Sequence, residues 1–269
     1  MEPTKEVAKI EPKGGLVQQK SNQILNEWGV EISKNDVTIP KLLIMQPMAQ
    51  LVTAGEAKFG ELRDSLEKRV HADFSTDMEF IPFYLQRVWV EYEMQEVRNG
   101  KDVKEEKVYR KTYPVISVKG HPEFNDELPY NDIIQEDGRE VKIVRDRVAN
   151  YFVLKVSEMP SGLPYVLPFR RTSMRAGRAL ATQMFQRNPM AGKTPASVVF
   201  KLKIGKQSKG TQTWAVLEVA QSRESTPDEV QTAFGWMQMV KSGTAKIDEA
   251  ADHMEAVDPA ATAEEPINF

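Results

Sequence analysis

Residues 150–219 read NYFVLKVSEMPSGLPYVLPFRRTSMRAGRALATQMFQRNPMAGKTPASVVFKLKIGKQSKGTQTWAVLEV, and this stretch decides the fold class. Asn150–Ser157 is rich in aromatic and branched residues and reads as a strand. SGLP is a turn. Tyr165–Phe169 continues as a bent or edge strand, because Pro168 cannot donate to a ladder. Thr172 or Ser173 can cap a following helix of strong helix formers through Gln186, which Asn188-Pro189 stops. Met174, Leu180, Met184 and Ala181 would face inward. Arg171, Arg175 and Arg178 are spaced i, i+4, i+7 and share one face. Ala196–Ile204 then alternates, with Val198, Phe200, Leu202 and Ile204 on one face and Val199, Lys201 and Lys203 on the other. Gln212–Val219 is its hairpin partner across the turn Lys206–Gly210.

Upstream, Met78–Val97 is aromatic and branched, and Asn99-Gly100 signals a turn into a second strand over 103–118. HPEFNDELPYNDIIQEDGRE, with Asp137-Gly138, reads as a polar excursion. KLLIM near residue 41 is strand-like. A helical segment follows it, with Phe59, Leu62 and Leu66 at i, i+3, i+7 as core. Residues 21–35 fit a short helix. Downstream, Thr226 as cap, Pro227 at the first helical position and Glu229 completing a capping box start a helix that runs to about Val240. Phe234, Met237 and Met239 are its contact residues.

This order is hairpin, bent strand, helix, hairpin, the connectivity of an oligonucleotide-binding barrel. The expected class is α+β, mainly β: an OB-fold-like five-stranded barrel with a helix between strands 3 and 4, an N-terminal helical extension and a disordered acidic tail. The expected divisions are a flexible arm over 1–20, a strand/helix extension over 21–75, an OB-like domain with a C-terminal helix over 76–243, and a tail over 244–269. At 269 residues the chain has room for one or two domains. With 41% hydrophobic and 28% charged residues it is too apolar for wholesale disorder. No apolar run approaches a membrane span, and the first residues carry no apolar signal core. The absence of Cys removes thiolate chemistry and fits a cytoplasmic setting.

Charge is strongly segregated. Thr244–Phe269 holds seven acids against Lys246 alone. From Met159 to Leu217 there is no Asp or Glu, while Arg170, Arg171, Arg175, Arg178, Arg187, Lys193, Lys201, Lys203, Lys206 and Lys209 all fall there. Solvated faces ordinarily mix signs, because like charges repel. A field of one sign points to a polyanion, whose phosphates release counterions when neutralised.

Catalytic signatures do not appear. There is no Walker loop, zinc-protease helix or nucleophile elbow. Asp126, Glu127, Asp132, Glu136 and Asp137 cluster in sequence, yet read as a solvated loop rather than a Mg²⁺ site. No enzyme activity, cofactor or metal is expected. Single strands are held by a basic groove with aromatic platforms. The candidate cations are Arg170, Arg171, Arg175, Arg178, Lys201, Lys203, Lys206 and Lys209. Tyr84, Trp89, Tyr92, Tyr151, Tyr165 and Trp214 are the aromatic candidates, although each alone is more often core than platform. Trp214, opposite the Lys201/Lys203 arm, stands first and Trp89 second.

The chain ends Glu264-Glu265-Pro266-Ile267-Asn268-Phe269. This tip resembles the acidic, apolar-tipped C-terminus of bacterial single-stranded DNA-binding proteins and the acidic tail with terminal Phe of phage T7-type ones. It departs from the bacterial tip in carrying Asn before Phe. The layout over about 75–243 is similar to phage replication proteins of like length. The resemblance implies an OB-fold that coats single-stranded DNA on replication or recombination intermediates in the host cytoplasm. It also implies recruitment of replication or recombination proteins through Glu264, Glu265, Pro266, Ile267 and Phe269. Self-association is compatible with it, and no membrane is involved. A strand-annealing recombinase or mediator, or a virion or assembly protein pairing basic body with acidic tail, fits the same charge pattern.

Overall fold

The computed structural model describes residues 37–99, 102–243 and 246–248. The expected arm and helix within residues 1–35 lie outside them, as do all but a few residues of the acidic tail, including Glu264, Glu265, Pro266, Ile267 and Phe269.

Two long antiparallel strands form the spine. β5 (Met78–Asn99) and β8 (Arg139–Lys155) pair from Phe80 opposite Lys155 to Glu93 opposite Ile143. Each has two partners on its outer edge. β10 (Val198–Lys209) pairs the start of β5, and β6 (Asp102–Pro114) pairs its second half up to Asn99 opposite Asp102. β7 (Asn131–Glu136) and β9 (Tyr165–Phe169) lie one after the other along β8. β11 (Gln212–Glu224) extends the sheet beyond β10. A second, small sheet is formed by β2 (Leu42–Ile44), β3 (Leu62–Asp64) and β4 (Val70–Ala72). β1 (Thr38–Ile39) pairs in parallel with β12 (Lys246–Ile247). Helices are few: α1 (Gln50–Thr53), α2 (Met174–Thr182) and α3 (Pro227–Lys241), with short 3-10, π and α turns.

The molecule is mainly β and antiparallel, as the sequence indicates, but the expected five-stranded barrel is not closed. The side chain of Gln46, two residues past β2, reaches β11. The Gln46 amide donates to the Ala215 carbonyl at 2.9 Å and accepts from the Ala215 N–H at 3.0 Å.

Period-two alternation sends side chains to both faces of the sheet, and both faces are covered around the spine's first half. On one, Phe80, Tyr151, Val153, Leu167, Phe169, Phe200 and Leu202 pack with Leu42, Leu62 and Ala72 of the small sheet and Leu180 and Met184 of the helical segment. On the other, Ile81, Phe83, Phe152, Leu154, Val166 and Val199 pack under α3 through Ala233, Trp236, Met237 and Val240. That stripe follows i, i+3, i+4, i+7, so Trp236 and Val240 replace the expected Phe234 and Met239 beside Met237. The α3 start is as read: Thr226 accepts from the Glu229 N–H, and the Glu229 carboxylate returns to Thr226.

Two local expectations are overturned. The 59–66 helix does not form. Leu62 is fully buried in β3, whereas Leu66 is 50% exposed, because pairing of β3 with β2 and β4 outweighs a three-residue coincidence of spacing. The polar excursion contains a hairpin: β7 and β8 meet across Asp137 (φ 50°) and Gly138 (φ 78°), the two left-handed residues a tight loop needs. Four of the five acids singled out there are taken up by bases. Asp132 pairs with Arg145 at 2.7 Å, Glu127 with Lys119 at 3.5 Å, Asp126 with Arg147 and Glu136 with Arg110. Among the described residues no group of three or more His, Asp or Glu is placed to share a metal ion. None of their helices is long and apolar enough to cross a membrane.

Candidate nucleic-acid interface

The acid-free run folds into β9, the helical segment 171–190 and β10 with the first part of β11. The helical segment opens with a 3-10 turn at Arg171–Ser173. It runs as α2, widens into a π turn at Gln183–Arg187, and closes with an α turn at Asn188–Met190. The expected stop at Asn188-Pro189 is therefore two residues early. Pro189 lacks an N–H and its ring crowds the carbonyl four residues back, and the backbone accommodates it by widening just before it. Asn188 is buried and holds the turn, accepting from the Gln183 amide at 2.7 Å and donating to the Thr194 and Pro195 carbonyls.

The inner face is fixed by close contact. Gly177 sits against Phe169, where an added Cβ would lie 2.9 Å from the Phe169 Cβ, and Tyr151 donates its hydroxyl to the Gly177 carbonyl. Ser173 accepts from the Leu217 N–H at 3.1 Å, tying the helix start to β11. The outer face then presents Arg175, Arg178, Phe185 and Arg187, all exposed. Phe185 is 46% and Met190 88% exposed. A helical face with three guanidinium groups, an open phenyl ring and no carboxylate of its own can hold phosphates and stack a base.

The remaining candidate residues do not join this face. Arg170 donates to the Tyr92 hydroxyl at 3.1 Å. Arg171 reaches the buried Asp146 carboxylate at 2.9 Å from a left-handed backbone (φ 42°). Burial alone would raise the Asp146 carboxyl, but Arg171, with Lys107 and Arg170 near, outweighs it and holds the group below its usual 3.8. Both arginines thus fasten the β9–α2 junction to the spine. Lys201 and Lys203 point away from Leu202 and Ile204, so they lie on the opposite face of the sheet from α2. There they stand 3.9 and 3.8 Å from Asp77. Lys206 lies 5.9 Å from the Phe59 ring centre, on the α2 side but at the hairpin end. Lys209 is exposed beside the Gly210 turn.

Trp214, opposite Gln207, is half-buried on the Lys201/Lys203 face, and its ring N–H is buried with no hydrogen-bond partner among the described residues. Trp89 is corrected outright as a platform. It is 6% exposed, donates to the Asn125 carbonyl at 3.0 Å, and lies under Arg147, because both sides of β5 are covered there. Tyr92, Tyr151 and Tyr165 are core, and Tyr84 is partly buried against Phe152 with Lys241 over its ring. Sequence reasoning passed over Phe185 and left Arg187 out of the candidate set. The signal available was their position in the acid-free run on the helical face of Arg178.

The chain belongs to a family of phage proteins: the family model described as Pam3 phage gp34-like protein matches residues 16–246, most of its length. No curated protein and no solved structure matches it.

Proposed function

We propose that this phage protein is a non-catalytic single-stranded DNA-binding protein that holds the strand on the outer face of the helical segment 171–190. Arg175, Arg178 and Arg187 neutralise phosphates, and Phe185 stacks a base. The observation that carries the reading is an exposed helical face with three arginines and an aromatic ring, within 59 residues free of carboxylates. The acidic segment 244–269, with Glu264, Glu265, Pro266, Ile267 and Phe269, recruits replication or recombination proteins in this reading.

The test is a set of substitutions on opposite sides of the sheet. Reversing Arg175→Glu with Arg178→Glu should weaken oligo-dT binding and reduce the salt slope by about 0.7 per lost phosphate contact. Phe185→Ala should cost about tenfold in affinity, the low end of one base stack. Lys201→Glu with Lys203→Glu should change affinity less than twofold. If the lysine pair matters and the arginine pair does not, the interface has been put on the wrong side.

A second reading, a virion or assembly protein, is favoured by β7. Among the described residues it pairs with β8 alone and carries Ile133 at 61% exposure, an edge open to another strand. Concentration-dependent assembly abolished by Ile133→Lys, without oligonucleotide affinity, would select it.

A further inference from the structure

Two backbone irregularities meet at one cavity. The π turn Gln183–Arg187 forms one wall, and the β10–β11 ladder slips opposite, leaving Ser222 as the extra residue between the Val199–Arg223 and Phe200–Gln221 pairs. Both kinds of distortion recur beside binding sites, where they re-aim side chains. Between them lies a cavity of 410 Å³ lined by Arg187, Lys193 and Arg223 against the single carboxylate of Glu224, a volume in the range of small-ligand sites. Two of these cations have partners already: Lys193 pairs with Glu224, and Arg223 clamps Glu229 through two nitrogens at 2.6 and 2.8 Å. Among the described residues the Arg187 side chain makes no ion pair or hydrogen bond, and neither does the Gln221 side chain at the wall. A guanidinium with no anion of its own, seconded by an ammonium shared with one carboxylate, matches a phosphate group.

We infer that this cavity binds a nucleoside 5′-phosphate, either free or as the terminal unit of a strand. The phosphate rests on Arg187 and Lys193, and the nucleoside is placed toward the Gln221 side chain. The inference deepens the single-strand reading, because Arg187 stands where the helical face meets the cavity and a strand along that face would place its end there. A pocket, unlike a groove, accepts an end.

The experiment is calorimetric titration of the full chain with thymidine 5′-monophosphate, thymidine and inorganic phosphate. Oligo-dT carrying a 5′-phosphate or a 5′-hydroxyl is bound in parallel. The nucleotide should bind and thymidine should not. Arg187→Gln should weaken nucleotide binding at least tenfold, with the fold checked by circular dichroism. A 5′-phosphorylated strand binding several-fold tighter than its 5′-hydroxyl counterpart assigns the site to strand ends. Nucleotide binding without that preference assigns it to free nucleotides. No nucleotide binding at millimolar concentration and no 5′-phosphate preference overturn the site, even if oligo-dT binds, which leaves the single-strand reading standing. Nucleotide binding with no affinity for oligo-dT does the reverse.

Discussion

Arg171 and Asp146 show how one residue type serves different ends within one basic run. The Asp146 side chain is 5% exposed and its partner 28%, so the pair is largely removed from water. Taking away one member of such a pair costs about 3–5 kcal/mol, because the other is left charged and buried. Arg171→Ala should therefore lower stability by about that amount in denaturant unfolding, whereas Arg175→Ala on the exposed face should change it by less than about 0.5 kcal/mol. Equal effects would mean that Arg171 is not a structural clamp.

A second buried group sets a pH dependence. His71 lies 3.1 Å from Asp64 and 3.2 Å from the Lys155 ammonium. Burial lowers its pKa below 6.5 and Lys155 adds to this, against the opposing pull of Asp64. The unfolded chain then takes up a proton first as pH falls. Stability is full above about 6.5 and declines through the window between that value and the lowered one. Unfolding midpoints should drop from pH 7.5 to 5.5, and His71→Gln should flatten the drop. A midpoint unchanged or rising in the natural chain would contradict the burial argument.

At the scale of elements, Gly177 is the decisive contact between α2 and β9. Alanine there gains up to about 1 kcal/mol in helix propensity. Its Cβ would lie 2.9 Å from the Cβ and 3.0 Å from the Cγ of Phe169, a fully buried side chain with nowhere to move. Overpacking of this kind costs about 1–3 kcal/mol. Gly177→Ala should thus lower the melting temperature, and a variant more stable than the natural chain would show that the helix is loosely seated. The elements legible in the sequence were those with local causes. The Thr226/Glu229 capping box and the alternation of Val198–Ile204 each lie within a few neighbouring residues, whereas the turn expected over Lys206–Gly210 is shorter, because β10 stays paired with β11 through Lys209. The β7–β8 hairpin was missed although Asp137-Gly138 marked its turn, because β7 has one exposed and one half-buried face, each carrying a single Ile among polar residues, and so shows no apolar alternation. The 59–66 helix was wrongly expected because β3 owes its strand state to β2 and β4, a pairing no local pattern reveals.

Across the whole molecule, the acid-free run was legible as a charge fact, but its placement was not. A sheet covered on both faces turns a contiguous set of cations into separate groups. Arg175, Arg178 and Arg187 are exposed on the helical segment 171–190, Lys201 and Lys203 lie across the sheet, and Arg170 and Arg171 lie within the fold. Trp89 is buried by a separate cover, the segment 115–130 that carries Asn125. The basic groove expected from the sequence is therefore reduced to the helical face and the cavity at its end. The most direct test of that reduced claim is a salt-titrated binding curve of the full chain with fluorescent oligo-dT and the matching duplex. The account predicts tighter binding to the single strand, with a slope of log affinity against log salt near −2, about −0.7 for each of three exposed arginines. Duplex binding as tight as single-strand binding, or affinity indifferent to salt, would contradict it.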